Sequence, residues 1–321
     1  MRWKGSRSGM NSNPDNGLVL GFSETESAAA AVARQLGWKF ESVDLHHFPD
    51  GESRIRIPEL RGNSVIIFRS LDQPNQKLVE LLLCVRHLRD AGSATIVLVA
   101  PYLCYMRQDA EFTTGEVISQ RWIGAWLDEL VDGLVTVDPH LHRVHRLEDV
   151  LPHTCCGLVS AAPLAGELAR RSFVDPVLIG PDKESLQWLQ LAARGSPSLD
   201  HLVASKTRAG DRQVRLHLPD FDLQNRDVML IDDIASTGTT LLECARLARD
   251  RGARDVKAVV THALFRDGAI PAGPSQALSD IWSTDSVPHP GNRIRLAGPL
   301  AAACSDVLEA ISGQRAAPSP R

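Results

Sequence analysis

Val228-Met229-Leu230-Ile231-Asp232-Asp233-Ile234-Ala235-Ser236-Thr237-Gly238-Thr239-Thr240-Leu241 is the stretch that decides the fold. Its apolar start predicts a buried strand, its small polar centre a tight turn. The residues that follow, Leu242-Glu243-Cys244-Ala245-Arg246-Leu247-Ala248, continue at helical spacing. A strand that turns sharply into a helix leaves the first helical N–H groups unpaired at the positive end of the helix dipole. That is a ready anion cradle. Gly238 lets the backbone come close to an anion, and Ser236, Thr237, Thr239 and Thr240 add hydroxyls. Asp232 and Asp233 stand just ahead of the turn, where carboxylates accept well from the vicinal hydroxyls of a sugar.

Outward from this stretch, strand and helix patterns alternate. Strands are expected at 18–22, 65–68, 95–100 and 133–137, with helices at 24–36, 75–91 and 119–130 between them. The second half repeats the theme. Helices are expected at 162–171, 184–193 and 240–251, and strands at 176–179, 213–216 and 256–261. Alternating β and α units imply an α/β fold of two domains, each a mostly parallel sheet flanked by helices. The expected division is a disordered tail over 1–16, domains over 17–158 and 159–312, and a loose tail over 313–321. A ligand is expected at the carboxyl ends of the strands, in the cleft between the halves.

The composition is that of a globular chain: 321 residues, 43% hydrophobic and 23% charged. A formal net charge of −4 argues against a general nucleic-acid or membrane-surface binder. No apolar run reaches the ~20 residues needed to cross a bilayer, and residues 1–16 lack a signal-peptide core. The six cysteines form no C-x-x-C pair, and several sit in apolar runs as reduced, buried thiols would. A cytoplasmic protein is the expectation.

The Asp232 to Thr240 segment resembles the 5-phosphoribosyl-1-pyrophosphate (PRPP) binding loop shared by phosphoribosyltransferases and PRPP synthetases. Other segments, in the same order along the chain, extend the resemblance to the PRPP synthetases, nearer their archaeal-type members. Phe48-Pro49-Asp50-Gly51-Glu52 is similar to the family's F-x-D-G-E, which grips the adenine of ATP. By that likeness Phe48 would stack on the ring, Asp50 would accept from the exocyclic amine and Glu52 would support the site. Tyr105-Met106-Arg107-Gln108-Asp109 resembles Y-A-R-Q-D, which makes Arg107 and Gln108 ATP contacts. Asp138-Pro139-His140 is similar to the family's D-P-H and implies a magnesium-associated role for His140, although Mg²⁺ prefers oxygen. Pro181-Asp182 resembles the start of P-D-x-G-G, with Asp182 helping to hold Mg²⁺. Lys206-Thr207-Arg208 resembles the K-x-R of a flexible catalytic loop, with both cations closing on the transferring phosphoryl group.

Three positions depart from the family's pattern. Ala110 replaces a basic residue, and Glu184 and Ser185 replace two glycines that wrap the pyrophosphate. A carboxylate beside a polyanion is repulsive unless a cation intervenes. His142, His145 and His153 near His140 have no zinc-site spacing and are expected as solvated loop residues.

The resemblance implies a Mg²⁺-dependent transfer of pyrophosphate from ATP to ribose 5-phosphate for nucleotide biosynthesis. It also implies a homo-oligomer whose ATP sites are shared between neighbouring subunits. Two other readings stay open. One is a catalytically silent regulatory subunit associated with PRPP synthetase, and the other is a phosphoribosyltransferase that consumes PRPP.

Overall fold

The computed structural model describes residues 17–58, 64–144, 146–194, 199–209, 213–265 and 277–316, with the side chains of 206, 208, 209, 213–215 and 316 left aside. The expected disordered stretch over 1–16, the histidine at position 145 and residues 317–321 lie outside the described residues.

The first half runs β1 (Gly17–Gly21), α1 (Glu26–Leu36), β2 (Lys39–Ser42), β3 (Asp44–His47), β4 (Ser53–Arg56), β5 (Ser64–Phe68), α2 (Pro74–Asp90), β6 (Thr95–Ala100), α3 (Ser119–Leu130), β7 (Gly133–Val137) and β8 (Cys155–Val159). The second runs α4 (Ala162–Ser172), β9 (Pro176–Gly180), α5 (Leu186–Ala193), β10 (Asp200–Val203), β11 (Ser205–Ala209), β12 (Gln213–His217), β13 (Asp227–Ala235), α6 (Thr239–Asp250), β14 (Asp255–Ala263), β15 (Asp280–Thr284), β16 (Asn292–Ile294) and α7 (Ala297–Ala316). Each half builds one six-stranded sheet, ordered β2-β1-β5-β6-β7-β8 and β10-β9-β13-β14-β15-β16. Every neighbouring pair in both sheets is parallel. Two antiparallel hairpins, β3–β4 and β11–β12, stand apart from the main sheets.

The alternation of side chains along each strand separates the core into layers. Val228 and Leu230 pack with Leu241, Cys244 and Ala248 of α6 on the outer face of the second sheet. Met229 and Ile231, one residue out of phase, join a central layer with Val97, Val99 and Val135 of the first sheet. Leu18, Leu20, Ile67 and Leu98 face outward in the first sheet and meet Leu81, Val85 and Leu88 of α2. Strands buried on both faces explain the near-continuous apolar runs.

Helix α7 returns from the second half to pack on α1, β7 and β8 of the first. It fits closely: a Cβ on Gly133 would lie 2.6 Å from Val307 Cγ1. Residues 313–316, expected as loose tail, are the last turn of this helix. Arg315 fastens that turn to the first sheet, donating from Nη1 to Thr95 Oγ1 at 2.8 Å and from Nη2 to the Ala94 carbonyl at 2.7 Å. The polar, Gly-containing composition of 313–316 carries no sign of that long-range anchor.

The expected elements are present with shifted ends. Strand β13 runs on through both carboxylates to Ala235, because β14 pairs with it along that length. The starts of the helices expected at 24 and 184 are short 3-10 turns, Ser23–Thr25 and Lys183–Ser185. Strands β2, β8, β10, β15 and β16 are short or only half-buried and lack the strong apolar run that marks the others. Cys84, Cys104, Cys244 and Cys304 are buried, whereas Cys155 and Cys156 are half-buried, and none of the six forms a disulfide. Among the described residues, no helix is long and apolar enough to cross a membrane.

Candidate active site

Gly238 caps α6 with φ +69°, a left-handed conformation that an L side chain adopts only under strain. Space is not the constraint there, since an added Cβ would meet only Phe265, at 3.6 Å. Within the turn, Thr237 Oγ1 accepts from the Thr239 N–H at 3.4 Å and lies 3.2 Å from Thr239 Oγ1. The Gly238 carbonyl accepts the first helical bond, from Leu242 N–H at 2.9 Å. Thr237 and Thr239 are exposed, while Ser236 and Thr240 are half-buried, so the hydroxyls ring an open helix N-terminus.

Asp233 is buried at the end of β13, and its Oδ2 lies 2.6 Å from His140 Nδ1. Its Oδ1 accepts the Ile234 N–H at 2.8 Å. Burial alone would raise the Asp233 pKa, but the hydrogen bond and charge of His140 outweigh it and hold the carboxyl below its usual range. Asp232 behaves oppositely. Burial first, then the charges of Asp233 and Asp182, push it well above the usual range. The charges of Asp233, beside it on β13, and of Asp182, in the turn after β9, thus both act on Asp232.

Such a set suits a hard cation. Mg²⁺ takes oxygen ligands and keeps several waters or phosphate oxygens, so it needs only one or two protein carboxylates. Among the described residues no group of three or more His, Cys, Asp or Glu side chains is placed to hold a metal ion. The donor chemistry fits a cation held jointly with a polyphosphate. Both ring nitrogens of His140 are already engaged, Nδ1 by Asp233 and Nε2 by His142.

The carboxyl ends of the two sheets are bolted together directly beneath these residues. Asp138, buried with φ +35°, accepts from Ala161 N–H at 2.9 Å and from Thr261 Oγ1 of β14 at 3.1 Å. His262 donates from Nε2 to the Val137 carbonyl at 2.9 Å, and its Nδ1 lies 2.9 Å from Ser286 Oγ. Burial drives the His262 pKa down from 6.5 to about 4, so the ring is neutral near pH 7. Thr261 and His262 escaped the reading of the sequence. The signal available was a histidine inside the otherwise apolar end of a strand.

Asp182 begins a capped turn in which Ser185 Oγ donates to the Asp182 carbonyl at 2.7 Å and the Asp182 N–H donates back at 3.2 Å. Ser185 is fully buried and closes the turn, with its Cβ so near Gly180 that a side chain there would collide. Glu184 points to the surface, and its Oε1 lies 3.0 Å from His142 Nδ1. His142, expected in solvent, is instead held between His140 and Glu184.

Arg107, Gln108 and Ser236 line one cleft of about 990 Å³ together with Tyr102, Phe265 and His289. Arg107 is exposed, and Gln108 Nε2 donates to the Ala110 carbonyl at 3.0 Å and to Glu116 Oε2 at 3.2 Å. The Phe48–Glu52 turn does not line this cleft. Asp50 and Glu52 border a separate recess of about 540 Å³ with Gln76, Val79 and Leu83. Lys206 and Arg208 sit on β11 opposite Leu216 and Val214 of β12. Their side chains lie outside the described part of the molecule.

Residues 18–130 match the family profile for the N-terminal domain of ribose phosphate pyrophosphokinase, and residues 160–288 match the phosphoribosyl transferase domain. The chain is 32% identical over 300 residues to a ribose-phosphate pyrophosphokinase of Methanopyrus kandleri, covering 92% of this chain and 100% of that protein. It is 32% identical over 263 residues to one from Thermococcus kodakarensis, covering 82% of this chain and 92% of that one. Its fold matches a phosphoribosylpyrophosphate synthetase structure from Mycobacterium smegmatis with a TM-score of 0.78 at 23% identity, over 92% of this chain and 100% of the other. The hydroxyl-ringed start of α6 and the cleft that Arg107 lines thus lie in a chain that belongs to the ribose-phosphate pyrophosphokinase family, with archaeal members among its relatives.

Proposed function

We propose that this protein transfers the β,γ-pyrophosphoryl group of ATP to the anomeric hydroxyl of ribose 5-phosphate, giving PRPP and AMP. The observation that carries the reading is the cleft itself. It brings Ser236, from the cradle, onto the same wall system as Arg107 and Gln108. An anion site and a cationic, amide-bearing site then face one reaction space.

The 5-phosphate docks on Ser236, Thr237, Gly238, Thr239 and Thr240, where backbone N–H groups and hydroxyls converge. Asp232 and Asp233 accept from the ribose hydroxyls, and His140 orients Asp233. The anomeric oxygen attacks the β-phosphorus in line while the bond to the bridging α,β-oxygen breaks and AMP leaves. The hydroxyl proton passes to Asp233 or to solvent. Transfer of this kind demands positioning and charge neutralisation more than covalent chemistry. Arg107, Lys206 and Arg208 supply cationic charge. Asp182, with His140 nearby, would hold Mg²⁺, which would supply neutralisation of the polyphosphate charge. Phe48, Asp50 and Glu52 hold adenine. Because their turn lies apart from the cleft, a neighbouring copy of the chain would complete each ATP site.

The test is phosphorus NMR of the protein with ATP, Mg²⁺ and ribose 5-phosphate. AMP with a new anomeric diphosphate signal is the expected result. ATP binding without turnover would favour the regulatory subunit, a reading that Glu184, Ser185 and Ala110 support.

A further inference from the structure

Glu80 is a carboxylate on the inner side of α2, its side chain 1% exposed among Leu78, Leu81 and Val85. A buried carboxylate is tolerated only where partners satisfy its charge, so its partners explain its presence. Its Oε2 accepts from Arg69 Nη2 at 2.5 Å. Arg69 is itself buried, lies 3.8 Å from the centre of the Phe22 ring and donates to Glu24 at 3.0 Å. The other oxygen, Oε1, does something different. It lies 2.8 Å from His47 Nε2 and accepts from Ser53 Oγ at 2.6 Å.

His47 and Ser53 are the last paired residues of the β3–β4 hairpin, opposite one another in register. They flank the Phe48–Glu52 turn on both sides. One carboxylate oxygen therefore grips both ends of that turn from below. A two-stranded hairpin outside a larger sheet is marginal by itself. Leu45 and Ile55 anchor its base in the core, but the tip carries Phe48 at 42% exposure. Above the grip, the turn is closed by Phe48 N–H to the Glu52 carbonyl at 2.8 Å. One oxygen of the carboxylate thus neutralises the buried Arg69 and the other is left for the hairpin.

The geometry points to Glu80, braced by Arg69, as the positioning residue that sets the Phe48–Glu52 turn for a purine nucleotide by clamping His47 and Ser53. This rests on the reading of that turn as the adenine contact.

The test is the double variant His47→Ala with Ser53→Ala, which removes the clamp and leaves the Glu80–Arg69 pair intact, so the fold is kept. Mg·ATP and ribose 5-phosphate are titrated separately by calorimetry. ATP binding should weaken about tenfold, equivalent to about 1.4 kcal/mol, with ribose 5-phosphate binding unchanged. Ser53→Thr, which retains the hydroxyl, should bind ATP as the parent does. Equal weakening of both ligands would make the cluster a general structural element and overturn the positioning role. Phe48→Ala separates the remaining outcomes. If it weakens ATP binding while the double variant does not, the clamp is wrong and the nucleotide turn stands. If it too leaves ATP binding unchanged, the turn is not a nucleotide contact, and both fall.

Discussion

His140 Nδ1 lies 2.6 Å from Asp233 Oδ2, joining a residue just beyond β7 of the first sheet to one inside β13 of the second. The pair spans the joint between the halves and lies beside the phosphate cradle. It therefore couples domain placement to the carboxylate proposed to accept from the ribose hydroxyls. Removing one partner of a buried, charge-assisted bond leaves the other unsatisfied, at about 1–3 kcal/mol. His140→Ala should let the Asp233 pKa climb and lower turnover about 100-fold. Asp233→Asn should do the same, and the two together should cost little more than either. A double-mutant cycle on turnover and on urea unfolding checks this, and additive losses would refute the coupling.

His262 gives the joint a pH dependence. Its folded pKa, near 4, lies below the unfolded value of 6.5. Between those values the unfolded chain binds the extra proton, so stability falls as pH drops through the window, by at most about 3 kcal/mol. Asp232 acts in the opposite sense. Its raised pKa favours the protonated fold, a contribution lost as pH rises through that value. Urea unfolding of His262→Gln against the parent at several pH values between 4 and 7 isolates the histidine. The variant should show a flatter acid slope, and parallel curves would exclude His262 as its source.

Glu184 stands where the family carries glycine, yet its carboxylate is occupied by His142 at 3.0 Å and its side chain is 57% exposed. An exposed pair contributes at most about 1 kcal/mol. Glu184→Gln should accordingly lower the KM for ATP by no more than about fivefold. A larger drop in steady-state assays would mean that the carboxylate reaches the polyphosphate.

The separation of the Phe48 turn from the Arg107 cleft predicts complementation. Phe48→Ala and Arg107→Ala should each lose most activity alone. Mixed after dissociation and reassociation, they should regain up to about a quarter of it, because one site in a shared assembly combines two intact halves. No recovery in mixed samples would place both halves of the site in one subunit.

Lys206→Ala should reduce turnover by about two to three orders of magnitude, as expected for loss of a charge that acts on the transferring group. Ribose 5-phosphate binding should be nearly kept. Full activity in a stopped assay would remove β11 from the catalytic machinery.

The local chemistry of the site was legible in the sequence because it is contiguous. Strand, turn and helix signals around Val228 to Leu241 depend on near neighbours, and Gly238 at φ +69° is the residue that such a turn requires. The alternation of apolar runs and amphipathic helices likewise yielded two parallel sheets, since burial on both faces leaves a periodic trace. Strands β2, β8, β10 and β16 lack a strong apolar run because they lie at sheet edges and are only partly buried. Position 313–316 was misread because its helix is held by Arg315, whose partners Ala94 and Thr95 lie in the other half of the chain.

What only the tertiary structure decided is which residues meet across the joint. His140 with Asp233, His142 with Glu184 and Asp138 with Thr261 are all long-range pairs. No periodicity encodes them. They arise because parallel strands deliver their carboxyl ends to one edge of each sheet, and packing the sheets against one central layer brings those edges together. The sequence by itself determined the fold class and the strand–turn–helix around Gly238. The packing decided which charges neutralise one another, and so which carboxylates remain to meet a substrate.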